Sequence, residues 1–149
     1  NIDETKTLKY ETVAEKLKWQ LDYEIGVISS VNLNHATPAA FYAHQPSRNN
    51  YYEIGVEMVE SDFDYFAGGG LLSPNGSDGT KESIYDIAKK AGYTIATTQS
   101  EAEKINENTE KAIVIGETLA DSDSLSYEND RANYYICLNI KLWYSQCLE

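Results

Sequence analysis

Ile25-Gly26-Val27-Ile28-Ser29-Ser30-Val31 is short, apolar and β-branched, and it delivers the chain into Asn32-Leu33-Asn34-His35. A run of this length, closed by polar turn formers, reads as a buried strand. Ligands of open α/β sheets collect at the carboxyl ends of strands. The segment after this strand is therefore where chemistry is expected. It reads His35-Ala36-Thr37-Pro38-Ala39-Ala40-Phe41-Tyr42-Ala43-His44-Gln45-Pro46-Ser47-Arg48, placing imidazole, hydroxyl and guanidinium close together.

Outward from this strand, the chain alternates helical and strand patterns. Tyr10, Val13, Ala14, Leu17 and Leu21 recur at helical offsets, with Lys9, Glu11, Glu15, Lys16 and Lys18 around the other side, and predict a surface helix. A helix is expected from about Asn50 to Glu60, with Gly55 as its weak point, and a short strand at Tyr65-Phe66. Gly68 to Gly70 predict a tight turn after that strand. Ile84, Ile87, Ala88 and Ala91 line one side of the clearest helix, which Gly92 should stop. Tyr93 to Thr97 reads as a strand, Ser100 with Glu103 as a capping box opening a helix through about Asn106, and Ala112 to Ile115 as another buried strand. This alternation predicts an α/β fold, a layered sheet flanked by helices.

The motif supports a closer reading. His-Ala-Thr-Pro-Ala-Ala at 35–40, His44, and Ser47-Arg48 resemble the central motif of the bacterial alkaline phosphatases. Gly26 to Val31 and Phe63-Asp64-Tyr65-Phe66-Ala67-Gly68-Gly69-Gly70 extend the similarity, which runs from Tyr10 to Arg131. The resemblance implies a partial alkaline-phosphatase-like domain over residues 1–131, hydrolysis of small phosphate monoesters through a metal-assisted phosphoserine intermediate in the parent enzyme, Mg2+ and Zn2+ as cofactors, and a periplasmic or secreted location. It leaves a homodimer of the parent enzyme open. Position by position, Thr37 resembles the hydroxyl ligand of the family's magnesium site. His35 stands where some members carry an Asp serving that metal site and others a His, and Arg48 resembles the arginine that grips the substrate phosphate.

Side-chain chemistry fits those roles. A guanidinium holds two phosphate oxygens at once and stays charged at any accessible pH. Of 12 basic residues only Arg48 and Arg131 are arginines, so the chain uses Lys where a generic positive charge suffices. The plain alternative for Arg48 is a structural salt bridge. A hard cation such as Mg2+ accepts a neutral hydroxyl beside carboxylates and water, which suits Thr37. His44 reads as structural, capping or packing on a short helix after Pro38.

Other features limit the reading. Both histidines lie in this one motif, whereas catalytic zinc sites typically take three protein ligands. The zinc ligands and the Asp-Ser-Ala nucleophile motif are therefore expected mostly outside this chain, which reads as the central part of a longer enzyme. It opens on Asn1 with no apolar leader, and the isolated chain is expected to be inactive. A formal charge of −12 argues against nucleic acid as a partner and means that a phosphate ligand needs concentrated local positive charge. No apolar run approaches the ~20 residues of a spanning helix.

Asp121-Ser122-Asp123-Ser124-Leu125 lacks the Gly and Glu of a calcium loop and reads as a solvated acidic loop. Residues 132–149 form an anomalous tail: Ala132 to Cys147 contains no acidic residue, one Lys and both cysteines, a texture suggesting out-of-frame translation. A sulfatase or phosphodiesterase fragment and a non-enzymatic acidic metal-binding module are the competing readings.

Overall fold

A computed structural model describes residues 1–126. Arg131 and the anomalous tail at 132–149 lie outside the described residues. The described elements are α1 (Val13–Leu21), β1 (Gly26–Ile28), α2 (Ala36–Ala39), α3 (Tyr51–Glu60), β2 (Tyr65–Gly68), α4 (Ile84–Lys90), β3 (Thr94–Ala96), α5 (Gln99–Ala102), β4 (Ala112–Ile115) and a 3₁₀ turn at Asp121–Asp123. The strands form one all-parallel sheet in the order β1-β2-β4-β3.

The register explains why each strand carries its sequence. Val27 pairs with Phe66, Phe66 with Ile113 and Ile113 with Ile95, so one apolar row crosses all four strands. Because successive side chains alternate faces, that row meets Ala14 of α1, Ile54 and Met58 of α3, and Ile84 and Ala88 of α4 in the larger core. Tyr65, Ala67, Ala112 and Val114 point the other way and pack with Ala96, Ala102 and Ile105. Helices therefore cover both faces, and the two central strands are buried throughout, the pattern that parallel sheets require.

Local signals set the helix ends. Thr12 and Glu15 form the capping box of α1, and Asp22 closes it in the left-handed conformation. Gly92, at φ +91°, follows α4. Gly55 does not weaken α3 without reason: a Cβ there would stand 2.4 Å from Ile84 Cδ1, so its absence lets α3 and α4 approach.

The expected capping box at Ser100 and Glu103 is corrected by two residues. Thr98 caps α5 and Glu101 completes the box, because β3 ends at Ala96 and leaves Thr98 extended to receive the Glu101 amide. The helix is correspondingly shorter than predicted, ending at Ala102.

Candidate functional site

Three loops leave the carboxyl ends of β1, β2 and β4 and are laced together by backbone hydrogen bonds. Leu33 N–H donates to Gly70 O at 2.9 Å, Gly69 N–H to Val31 O at 3.2 Å, Gly116 N–H to Gly68 O at 2.9 Å, and Leu125 N–H to Ser30 O at 2.8 Å. Gly70 N–H donates to Asp123 O at 2.7 Å, and the Asn32 side-chain amide to Ser122 O at 3.0 Å. The acidic segment at 121–125 is thus not simply solvated, as its composition suggests. Its carbonyls accept from the β1 and β2 loops and seat it over them. The glycine run serves this close approach, since a Cβ on Gly69 would come within 2.2 Å of Asp123 O and 2.8 Å of Val31 O.

This lacing fixes the segment that carries the motif. Asn34 is fully buried and spends its amide on three backbone partners: it donates to Tyr51 O at 2.9 Å and Leu72 O at 2.8 Å, and accepts from Leu72 N–H at 3.0 Å. Buried amides need such partners, and here they tie the β1 loop to α3 and to the β2 loop. The buried Tyr42 hydroxyl donates to Leu33 O, and burial pushes its pKa above the ordinary tyrosine range. Sequence reading passed over Asn34 and Tyr42. Their signal was slight, for Asn34 stands among the polar turn formers of Asn32-Leu33-Asn34-His35 and Tyr42 follows the exposed Phe41.

The motif residues converge at the surface above this platform. His35 is the N-cap of α2, its Nδ1 accepting from Thr37 N–H at 3.2 Å. Its Nε2 lies 3.0 Å from Arg48 Nη2. Thr37 occupies the first turn of α2 and, like Arg48, is exposed. His35 thus touches the Arg48 guanidinium and the Thr37 backbone amide, in the segment that follows β1. Among the described residues Arg48 makes no ion pair with a carboxylate, so the salt-bridge alternative has no partner there.

His44 lies beyond the end of α2 rather than on it. It packs instead: its ring nitrogens sit 2.8 Å from Asn1 O and 2.8 Å from Glu15 Oε1, and its amide donates to Glu57 Oε2 at 2.8 Å. Thr12 Oγ1 adds a 2.6 Å bond to Phe41 O. The N-terminal arm and α1 are thereby clasped against the motif segment. Burial alone would raise the Glu15 carboxyl, but the bonds it accepts from Thr12 and His44 hold it below the ordinary range.

The described residues contain no group of three or more His, Cys, Asp and Glu able to hold a metal. A two-zinc centre is therefore not assembled by them. For magnesium the residues present offer the hydroxyl of the exposed Thr37, a hard oxygen donor two positions along the chain from His35. No helix among the described residues is long and apolar enough to cross a membrane.

A family model described as alkaline phosphatase matches residues 3–134. Alkaline phosphatase 4 of Bacillus subtilis (strain 168) is 34% identical over 102 residues, spanning 64% of this chain and 21% of that protein. The alkaline phosphatase of the Antarctic bacterium TAB5 superposes with a TM-score of 0.76 at 25% identity, over 97% of this chain and 40% of that one. A variant of the TAB5 enzyme, with a histidine replaced by glutamate and magnesium bound in its M3 site, gives a TM-score of 0.74 at 27% identity, over 97% of this chain and 41% of that one. The chain spans less than half the length of each of these proteins.

Proposed function

Because the chain belongs to the alkaline phosphatase family, as its match over residues 3–134 shows, we propose that it carries the phosphate-gripping and magnesium-supporting part of a phosphomonoester hydrolase. The observation that supports this reading is the contact of the His35 ring with both the Arg48 guanidinium and the Thr37 backbone amide, in the segment that follows β1. Arg48 binds the substrate: its guanidinium carries five N–H donors, enough to hold two oxygens of a phosphate monoester. Its charge offsets the charge of the phosphate, which an acidic chain would otherwise repel.

Thr37 and His35 are the residues that would hold Mg2+, and the position of His35 is the one we read as equivalent to the histidine exchanged for glutamate in the magnesium-bound TAB5 variant. A bound Mg2+ supplies positive charge beside the phosphate and orders nearby water. The platform of Asn34, Tyr42 and the laced loops keeps these donors in place. We read the serine nucleophile and most of the zinc ligands of the parent enzyme as lying outside this chain, and the parent enzyme, by the same resemblance, as periplasmic or secreted.

The test is turnover of a chromogenic phosphate monoester by the purified chain in Mg2+ and Zn2+. The expected result is a rate indistinguishable from that of the Arg48→Ala variant. Turnover that Arg48→Ala abolishes would show that the chain contains a complete catalytic centre and overturn the division of roles.

A further inference from the structure

We infer that His44 is a positioning residue for Arg48 and works as an imidazolium: its two ring N–H groups fasten the N-terminal arm and α1 to the segment leading to Arg48, and loss of one ring proton unfastens them. The charge state of the ring is read from the clasp alone; its bearing on substrate rests on the role of Arg48 proposed above.

Both ring nitrogens face acceptors. Nδ1 lies 2.8 Å from Asn1 O, a carbonyl that can only accept, and Nε2 lies 2.8 Å from Glu15 Oε1. Glu15 has no proton to offer. Burial alone would raise its carboxyl, but the bonds from Thr12 and His44 hold it below the ordinary range. A neutral imidazole has one N–H, which would leave the other nitrogen's lone pair against an oxygen lone pair. Only the doubly protonated ring satisfies both contacts. His44 is 8% exposed, which leaves little room for water to replace a missing bond, and an unmade buried bond is expensive.

The surrounding charges agree. Glu57 on α3 accepts the His44 amide at Oε2, 2.8 Å away, and the Lys9 ammonium at Oε1, 2.9 Å away. Among the described residues the charged groups around His44 are thus Glu15 of α1, Glu57 of α3 and Lys9 of the arm, two carboxylates against one ammonium. A charged ring makes the cluster neutral, as buried charges require.

The clasp reaches Arg48 through a short, tethered connector. Asn1 Nδ2 donates to Ala40 O at 2.7 Å and to Ala43 O at 3.0 Å, so the arm also binds the carbonyls just beyond α2. Only Gln45-Pro46-Ser47 separate His44 from Arg48. Pro46 has a fixed φ, and the Asn50 side chain donates to Gln45 Oε1 at 3.0 Å. Asn1, Ala43, Gln45 and Arg48 line one cavity of about 190 Å3. When the ring gives a proton to solvent it loses one of its two bonds, the arm or α1 loosens, and the connector that aims Arg48 shifts with it.

One substitution separates this device from a merely structural histidine. In Glu15→Gln the side-chain oxygen can keep the Thr12 amide, which Glu15 Oε2 now accepts, while its NH2 donates to the ring. A neutral ring then satisfies both partners, and the clasp stays closed as pH rises.

The test is proton–nitrogen NMR of the full chain across pH, following the His44 ring nitrogens, the Arg48 guanidinium and the Tyr10 amide, which donates to Asn1 O and reports the arm. In the parent, both ring nitrogens should be protonated while the arm is docked, and the Tyr10 and Arg48 signals should move with the ring at a common midpoint as pH rises. In Glu15→Gln the docked ring should be neutral with Nε2 as its acceptor, and the Tyr10 and Arg48 steps should vanish. Sulfate, an oxyanion fully ionised throughout, should bind the parent roughly fivefold more weakly once the ring is neutral, the scale of one lost hydrogen bond. Its affinity for Glu15→Gln should show no such step. Arg48→Ala should abolish sulfate binding and leave the ring and Tyr10 steps in place. A parent ring that is neutral while the arm is docked would overturn the proposal, as would a ring that titrates without moving Arg48. Sulfate that binds at no pH would reject the anion-binding role of Arg48, and the ring and Arg48 signals would still decide for or against the clasp.

Discussion

The His35 ring is contested by two donors: its Nε2 lies 3.0 Å from Arg48 Nη2 while its Nδ1 accepts the Thr37 amide at 3.2 Å. A neutral imidazole has one N–H and one acceptor nitrogen, so it cannot accept from both at once. The amide is fixed by α2, whereas Arg48 is a long exposed side chain. Arg48 is thus the partner free to leave, and an arriving phosphate offers it oxygens in place of the ring.

His35→Asp removes that conflict, since one carboxylate can accept from the Thr37 amide and from Arg48 together. It also gives Mg2+ a charged oxygen in place of a nitrogen. Titration calorimetry should show Mg2+ affinity rising on the order of tenfold, because ligand charge tunes such sites over several decades. Unchanged affinity would remove His35 from the metal site.

The Glu15 clasp should make stability depend on acid. Its folded-state pKa lies below the ordinary 4.5, so its contribution is complete above that value and is lost as pH falls through the lower folded one. Near neutral pH, Glu15→Gln should cost about 1 kcal/mol through the weakened capping box. Urea unfolding should show the gap between variant and parent narrowing below pH 4.5. A gap that stays constant with pH would mean that the carboxylate charge contributes nothing.

Gly69→Ala should destabilise the chain by about 2 kcal/mol, because its Cβ would meet two backbone carbonyls rather than a movable side chain. The urea midpoint should fall accordingly. An unchanged midpoint would show that the three loops are not held at the described spacing.

The layered α/β architecture was legible because each strand is an apolar run and each main helix carries a spaced apolar face. The motif could be read because His35-Ala36-Thr37-Pro38-Ala39-Ala40, His44 and Ser47-Arg48 resemble the family's central motif, with the scarcity of arginine as support for Arg48. The α5 cap was misplaced because Thr98 and Ser100 both offer a hydroxyl three residues before a Glu; only the end of β3 decides between them. The seating of residues 121–125 was hidden for a different reason. It depends on main-chain atoms of Gly70, Ser122 and Asp123, and hydrogen bonds of that kind leave almost no mark on residue type.

In the proposed site Arg48 and Thr37 flank one anion beside one cation. The most direct measurement is a titration of the chain with inorganic phosphate in Mg2+, following the Arg48 guanidinium and Thr37 methyl resonances by NMR. Both should move together and saturate with a common dissociation constant. Arg48→Ala should weaken phosphate binding by roughly tenfold or more, the scale of a lost charge-assisted pair. Resonances that move independently, or phosphate binding that survives Arg48→Ala unchanged, would contradict it.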